Sequence, residues 1–102
     1  MLLDFKLPGQ KIKDICTKLG EPYQVRLFDA RNVIYRDLGN GYDFEIGGLD
    51  NKEADFNATL YIWHTNSYSQ KIVETIDNIK SFENLSSVLN EKAKYYLNKK
   101  ID

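Results

Sequence analysis

Val33-Ile34-Tyr35-Arg36-Asp37-Leu38-Gly39-Asn40-Gly41-Tyr42-Asp43-Phe44-Glu45-Ile46 is the stretch on which the fold turns. Asn40-Gly41 lies between two β-like runs. Asn-Gly is the strongest short-range hairpin signal, because both central positions of a type I′ turn need φ > 0. After it, Tyr42, Phe44 and Ile46 alternate strictly with Asp43 and Glu45, the period of a half-buried strand. Before it, Val33-Ile34-Tyr35-Arg36 is extended but apolar almost throughout. Alternation alone therefore leaves two phases open, one with Val33 and Tyr35 outward and the other with Ile34 and Arg36 outward.

Upstream of this hairpin, Tyr23, Val25 and Leu27 alternate with Gln24 and Arg26, and Asp29-Ala30-Arg31-Asn32 supplies turn residues. Further back, Ile12, Ile15, Cys16 and Leu19 fall at i, i+3, i+4 and i+7, one apolar stripe of a short helix with Lys11, Lys13, Asp14 and Lys18 opposite. Pro8 and Gly9 open that helix. Gly20 stands where a C-terminal left-handed residue is wanted, and Pro22 prevents continuation.

Downstream, residues 47–55 read as a polar loop. Phe56, Ala58, Leu60 and Ile62 then share one strand face, with Asn57, Thr59, Tyr61 and Trp63 on the other. Residues 70–79 fit either element: Ile72, Val73, Ile76 and Ile79 suit a helical stripe, and Ile-Val-Glu-Thr-Ile is β-branched enough for a strand. The early break at Ser81 favours the strand. Ser81 reads as an N-cap with Glu83 in the first turn, and Leu85, Val88, Leu89, Ala93, Tyr96 and Leu97 carry a helix with a lysine-rich end. The fold expected is a single α+β domain over residues 1–102. It has a four- to five-stranded antiparallel meander sheet with the N-terminal and C-terminal helices packed on one face, in the order α-β-β-β-β-(β)-α.

Composition narrows the function classes. The 102 residues are 42% hydrophobic, enough for a core, and 14 Lys+Arg against 15 Asp+Glu give a net charge of −1. That balance excludes a polybasic nucleic-acid binder of the kind whose charge neutralises phosphates. A single cysteine, Cys16, forbids an internal disulfide or a cysteine zinc site and fits a reducing compartment. No run approaches eighteen apolar residues, and Met1-Leu2-Leu3-Asp4-Phe5-Lys6 has no leader pattern, so the expected location is cytoplasmic, with no membrane partner.

Candidates for chemistry are sparse. His64, the one histidine, has Ser67 and Ser69 nearby in sequence but no evident orienting third group, and a lone strand-end histidine is the plainer reading. Cys16 lies on an apolar helix stripe, where cysteine packs as a small hydrophobe. Asp43 and Glu45 share a strand face about 7 Å apart, close enough to bind a divalent cation through oxygen. Asp50-Asn51-Lys52 spells a D-x-K fragment of metal nucleases, but in a loop rather than on a core strand. Gly39, Gly41, Gly47 and Gly48 precede strands rather than helices, unlike a phosphate cradle. No catalytic activity and no cofactor are expected.

What remains is the sheet face away from the helices. Alternation places Arg26, Asp43, Glu45, Tyr61 and Trp63 there, with Arg36 joining them if Ile34 and Arg36 point outward. Trp, Tyr and Arg are the residue types of binding hot spots and of base-stacking platforms alike. The competing reading puts Tyr61 and Trp63 in the core beneath the C-terminal helix. A second patch gathers Lys92, Lys94, Lys99 and Lys100 around Tyr95. The helix–meander–helix order is similar in outline to double-stranded-RNA-binding domains. The final helix, however, opens with Ser81-Phe82-Glu83-Asn84 rather than a basic motif, and a strand is surplus, so no residue is carried over.

The expected function is a small non-catalytic module that docks on a protein partner. An inhibitor, an antitoxin or immunity protein, or a mobile-element accessory protein would all fit. Trp63, Tyr61, Arg26 and Arg36 would make the contact, with Asp43 and Glu45 setting electrostatic choice; a self-complementary face would give a homodimer. The alternative is nucleic-acid binding through the aromatic sheet face or the C-terminal lysines. A carboxylate-dependent metalloenzyme is third.

Overall fold

The computed structural model describes residues 7–99. Helix α1 (Gln10–Leu19) leads into strands β1 (Gln24–Phe28), β2 (Arg31–Asp37), β3 (Tyr42–Gly47), β4 (Ala58–Thr65) and β5 (Gln70–Ile79), and helix α2 (Phe82–Leu97) closes the order. All five strands form one antiparallel sheet in sequence order, so the α+β meander is as expected and residues 70–79 are its fifth strand. No helix among the described residues is long and apolar enough to cross a membrane.

Periodicity explains the layers. Ile12 and Ile15 of α1 and Leu85, Leu89, Ala93 and Tyr96 of α2 meet Ile34, Phe44, Ile46, Leu60 and Ile62 in one core cluster. These strand residues all belong to one phase of the alternation, so both helices cover the same sheet face. Among the described residues no helix lies on the other face. Ser81 caps α2 as its position suggests, its Oγ accepting the Asn84 N–H at 3.0 Å.

The two leading hairpins exchange the turns expected of them. Asp29 and Ala30 reverse the chain between the paired residues Phe28 and Arg31 with φ of 52° and 64°, both positive, the requirement of a type I′ turn. Asn40-Gly41 does not make the two-residue turn. Here Gly39 and Gly41 take the positive φ values, 84° and 95°, and Leu38 N–H donates to the Tyr42 carbonyl at 3.0 Å. Asn40 instead reaches toward the last helix, where its Nδ2 donates to the Tyr96 carbonyl at 2.9 Å and ties the hairpin to the end of α2.

The loop between β3 and β4 is fastened rather than loose. Lys11 Nζ donates to Asn51 Oδ1 at 2.7 Å and to the carbonyls of Glu53 and Asp55, both at 2.9 Å. Asp50 accepts from Gly9 N–H at 3.0 Å and from Asn32 Nδ2 at 2.9 Å. Residues that spell a nuclease fragment in sequence thus hold α1, β2 and the loop together around the fully buried Leu49. Gly48 is required at the loop's start: its φ is 88°, and a Cβ there would stand 2.6 Å from the Asn57 carbonyl oxygen.

Candidate functional site

The uncovered sheet face is assembled from two cross-strand rows. Asp37, Asp43, Trp63 and Ile72 are register partners across β2 to β5, and Tyr35, Glu45, Tyr61 and Thr75 form the next row. The side chains link along the diagonals between rows. Tyr35 OH donates to Asp43 Oδ2 at 2.8 Å, and Trp63 Nε1–H donates to Glu45 Oε1 at 3.0 Å. Each aromatic ring is thereby held by a carboxylate one row away. From β1, the Arg26 guanidinium lies 5.0 Å from the Tyr35 ring centroid, and the Phe28 ring meets Tyr35 edge-on at 5.3 Å.

Five of the six expected contact residues, Arg26, Asp43, Glu45, Tyr61 and Trp63, therefore share this face. Tyr61 and Trp63 are half-buried by strand neighbours and lie outside the core cluster, so they are not packed under α2. Arg36 is a correction. Ile34 pairs with Ile46 in the core, and period-two alternation sends Arg36 to the helix-covered side with it. There its guanidinium sits 5.4 Å from the Tyr23 ring centroid and donates to Tyr23 OH at 3.3 Å. Tyr35 takes the place expected of Arg36, and Phe28 and Asp37 complete the face.

Two shallow depressions share this surface. One, of about 380 Å³, is bordered by Arg26, Tyr35, Asp43, Glu45, Trp63 and Gln70, with Phe28 and Asp29 at its β1 end; the other, of about 360 Å³, has the buried Val33 at its floor, with Arg31, Thr59 and Tyr61 around it. The electrostatics are uneven. Asp37 stands directly opposite Asp43 in the ladder. Partial burial, together with the Asp37 charge, holds the Asp43 carboxyl above the ordinary range even though Tyr35 donates to it. Among the described residues the one ion pair is Lys92–Glu74, on the opposite side of the sheet, and no described cation lies within ion-pair distance of Asp37, Asp43 or Glu45.

The remaining candidates are dispersed. Lys92 is engaged with Glu74 at 2.7 Å, Lys99 Nζ lies 5.4 Å from the Tyr95 ring centroid, Lys94 is exposed in the last turn of α2, and Lys100 lies outside the described residues. His64 faces the helix side, its ring 4.5 Å from that of Tyr42. Burial raises the pKa of the Cys16 thiol, which packs against the core. Among the described residues no three His, Cys, Asp or Glu side chains are grouped to hold a metal ion. No family model, curated protein or solved structure was found to match the chain.

Proposed function

We propose that the protein acts by docking on a protein partner through its open sheet face, without chemistry of its own. The observation that carries this reading is the asymmetry of the sheet. One face is sealed by two helices, while the other presents Trp63, Tyr61, Tyr35 and Arg26, with the Trp63 and Tyr35 polar atoms already fixed. Large aromatic and arginine side chains held in place before contact lose little freedom on binding, the property of interface hot spots. The depressions are shallow and open, a shape suited to receiving protruding side chains. For nucleic acid, the three carboxylates beside Trp63 would repel a phosphate chain approaching the same rings.

The test is affinity capture with nuclease present, comparing wild type, Tyr61→Ala/Trp63→Ala, and Tyr95→Ala on the exposed side of α2. A protein retained by wild type and Tyr95→Ala but lost by the sheet-face variant supports docking there, given unchanged far-ultraviolet circular dichroism. Equal retention by all three refutes it.

A further inference from the structure

We propose, building on that reading, that the open face is completed by a basic segment of the partner. An arginine side chain of that segment enters the depression between Trp63 and Tyr35 and pairs with Asp43 and Glu45, which border it, while Asp37 opposite Asp43 adds to the negative field that draws it in. Charge complementarity within the molecule points to this occupant. At Glu74, a carboxylate takes a tyrosine hydroxyl (Tyr96 OH, 2.8 Å) and is finished by a lysine (Lys92 Nζ, 2.7 Å). At Asp43, the tyrosine is present at the same 2.8 Å, but the position across the strand holds Asp37 where a cation would complete the set.

Four further observations select the occupant. Like charges directly opposite in a ladder oppose folding, so the free face gains most from an incoming cation. The indole of Trp63 and the ring of Tyr35 border the same depression, and electron-rich ring faces attract a planar guanidinium. Arg26 shows the arrangement in miniature, its guanidinium 5.0 Å from the Tyr35 ring centroid yet not within ion-pair distance of any described carboxylate. A depression of about 380 Å³ is sized for single side chains rather than for a helix. Ion pairing there also gains from partial exclusion of water by the rings.

Trp63 is the only tryptophan, so its emission reports on the site. The probe is an oligoarginine peptide titrated at low salt into wild type, Asp37→Asn/Asp43→Asn, and the control Glu53→Gln/Asp55→Asn in the exposed β3–β4 loop. Asparagine keeps an acceptor for Tyr35 and for the Gly39 N–H that Asp37 now receives at 2.8 Å, so the fold is preserved. The expected result is a saturable shift of Trp63 emission, weakened about tenfold in the sheet-face variant and unchanged in the control.

Equal affinity for all three proteins overturns the inference, because the peptide is then reading net charge. A thymidine oligonucleotide that shifts Trp63, and binds more tightly once the aspartates are neutralised, overturns it in favour of nucleic acid. Concentration-dependent self-association that buries Trp63 overturns it in favour of a second copy of this chain. The capture assay separates the two levels. A partner lost by Tyr61→Ala/Trp63→Ala but kept by Asp37→Asn/Asp43→Asn leaves docking standing and removes the cation, whereas one kept by both removes docking itself.

Discussion

The two faces of the sheet each hold a tyrosine–carboxylate pair, and the pairs differ in one neighbour. On the helix side Tyr96 donates to Glu74 and Lys92 pairs with it; on the open side Tyr35 donates to Asp43 and Asp37 opposes it. Lys92, together with the Tyr96 bond, holds the Glu74 carboxyl below its ordinary range. Burial, with Asp37, moves Asp43 the other way. Both tyrosines are pushed well above the usual phenol range, first by burial and then by the carboxylate each one serves. A tyrosine donor therefore does not by itself settle the energy of a half-buried carboxylate: at Glu74 the lysine outweighs burial, and at Asp43, with no cation beside it, burial prevails.

The sharpest way to break this contrast is Glu74→Ala. Tyr96 is buried to 6% exposure, so its hydroxyl would lose its acceptor inside the packing of α2 on β5, and Lys92 would lose its partner. Urea denaturation at neutral pH should show a loss of about 2 kcal/mol. A loss within error would mean that the pair is a surface decoration. Because Glu74 is shifted down, its stabilisation is present above the ordinary carboxyl range and disappears as pH falls through its lowered pKa. The gap between wild type and Glu74→Ala should close in acid.

Asp43→Asn should act with the opposite sign. It removes the charge facing Asp37 and keeps an acceptor for Tyr35, so stability at neutral pH should rise by about 0.5 kcal/mol. Since the folded pKa of Asp43 is raised, the native state binds the proton more tightly than the unfolded chain does. Wild type therefore loses stability as pH climbs from the ordinary aspartate range through that raised value. The advantage of Asp43→Asn should be absent in strong acid, open across that window and stay constant above it. An advantage independent of pH would place its origin in packing rather than charge.

How much of this is legible in the sequence follows from the physics of each signal. Strict alternation in Tyr42–Ile46 and in Ala58–Ile62 sets the faces of β3 and β4, and with them Asp43, Glu45, Tyr61 and Trp63. β2 is not legible in the same way, because Val33, Ile34 and Tyr35 are all apolar and carry no phase. Only pairing of Ile34 with Ile46 decides between Arg36 and Tyr35, and that is a long-range fact. The turns mislead for a related reason. Propensity favours Asn-Gly, but the left-handed pair falls on Asp29-Ala30, where register requires it. The clasp of Lys11 on the β3–β4 loop joins groups 40 to 44 residues apart and leaves no local trace.

The smallest predicted effect completes the open pair from within. Gln70 is exposed at the start of β5 and borders the depression that contains Tyr35, Asp43 and Trp63. Gln70→Lys would bring a flexible ammonium to the acidic row, as Lys92 does for Glu74. Exposure and side-chain entropy limit the gain to about 0.3 kcal/mol, which thermal unfolding at low salt should resolve and added salt should erase. The same substitution should lower the Asp43 pKa, so carbon-detected NMR titration of its carboxyl would move toward the ordinary range. It should also weaken binding of oligoarginine by occupying the site in advance. If the pKa falls while peptide binding is untouched, the missing charge at Asp43 and the docking surface are separate features of the face. If both respond together, the acidic row is the part of the surface that a basic partner completes.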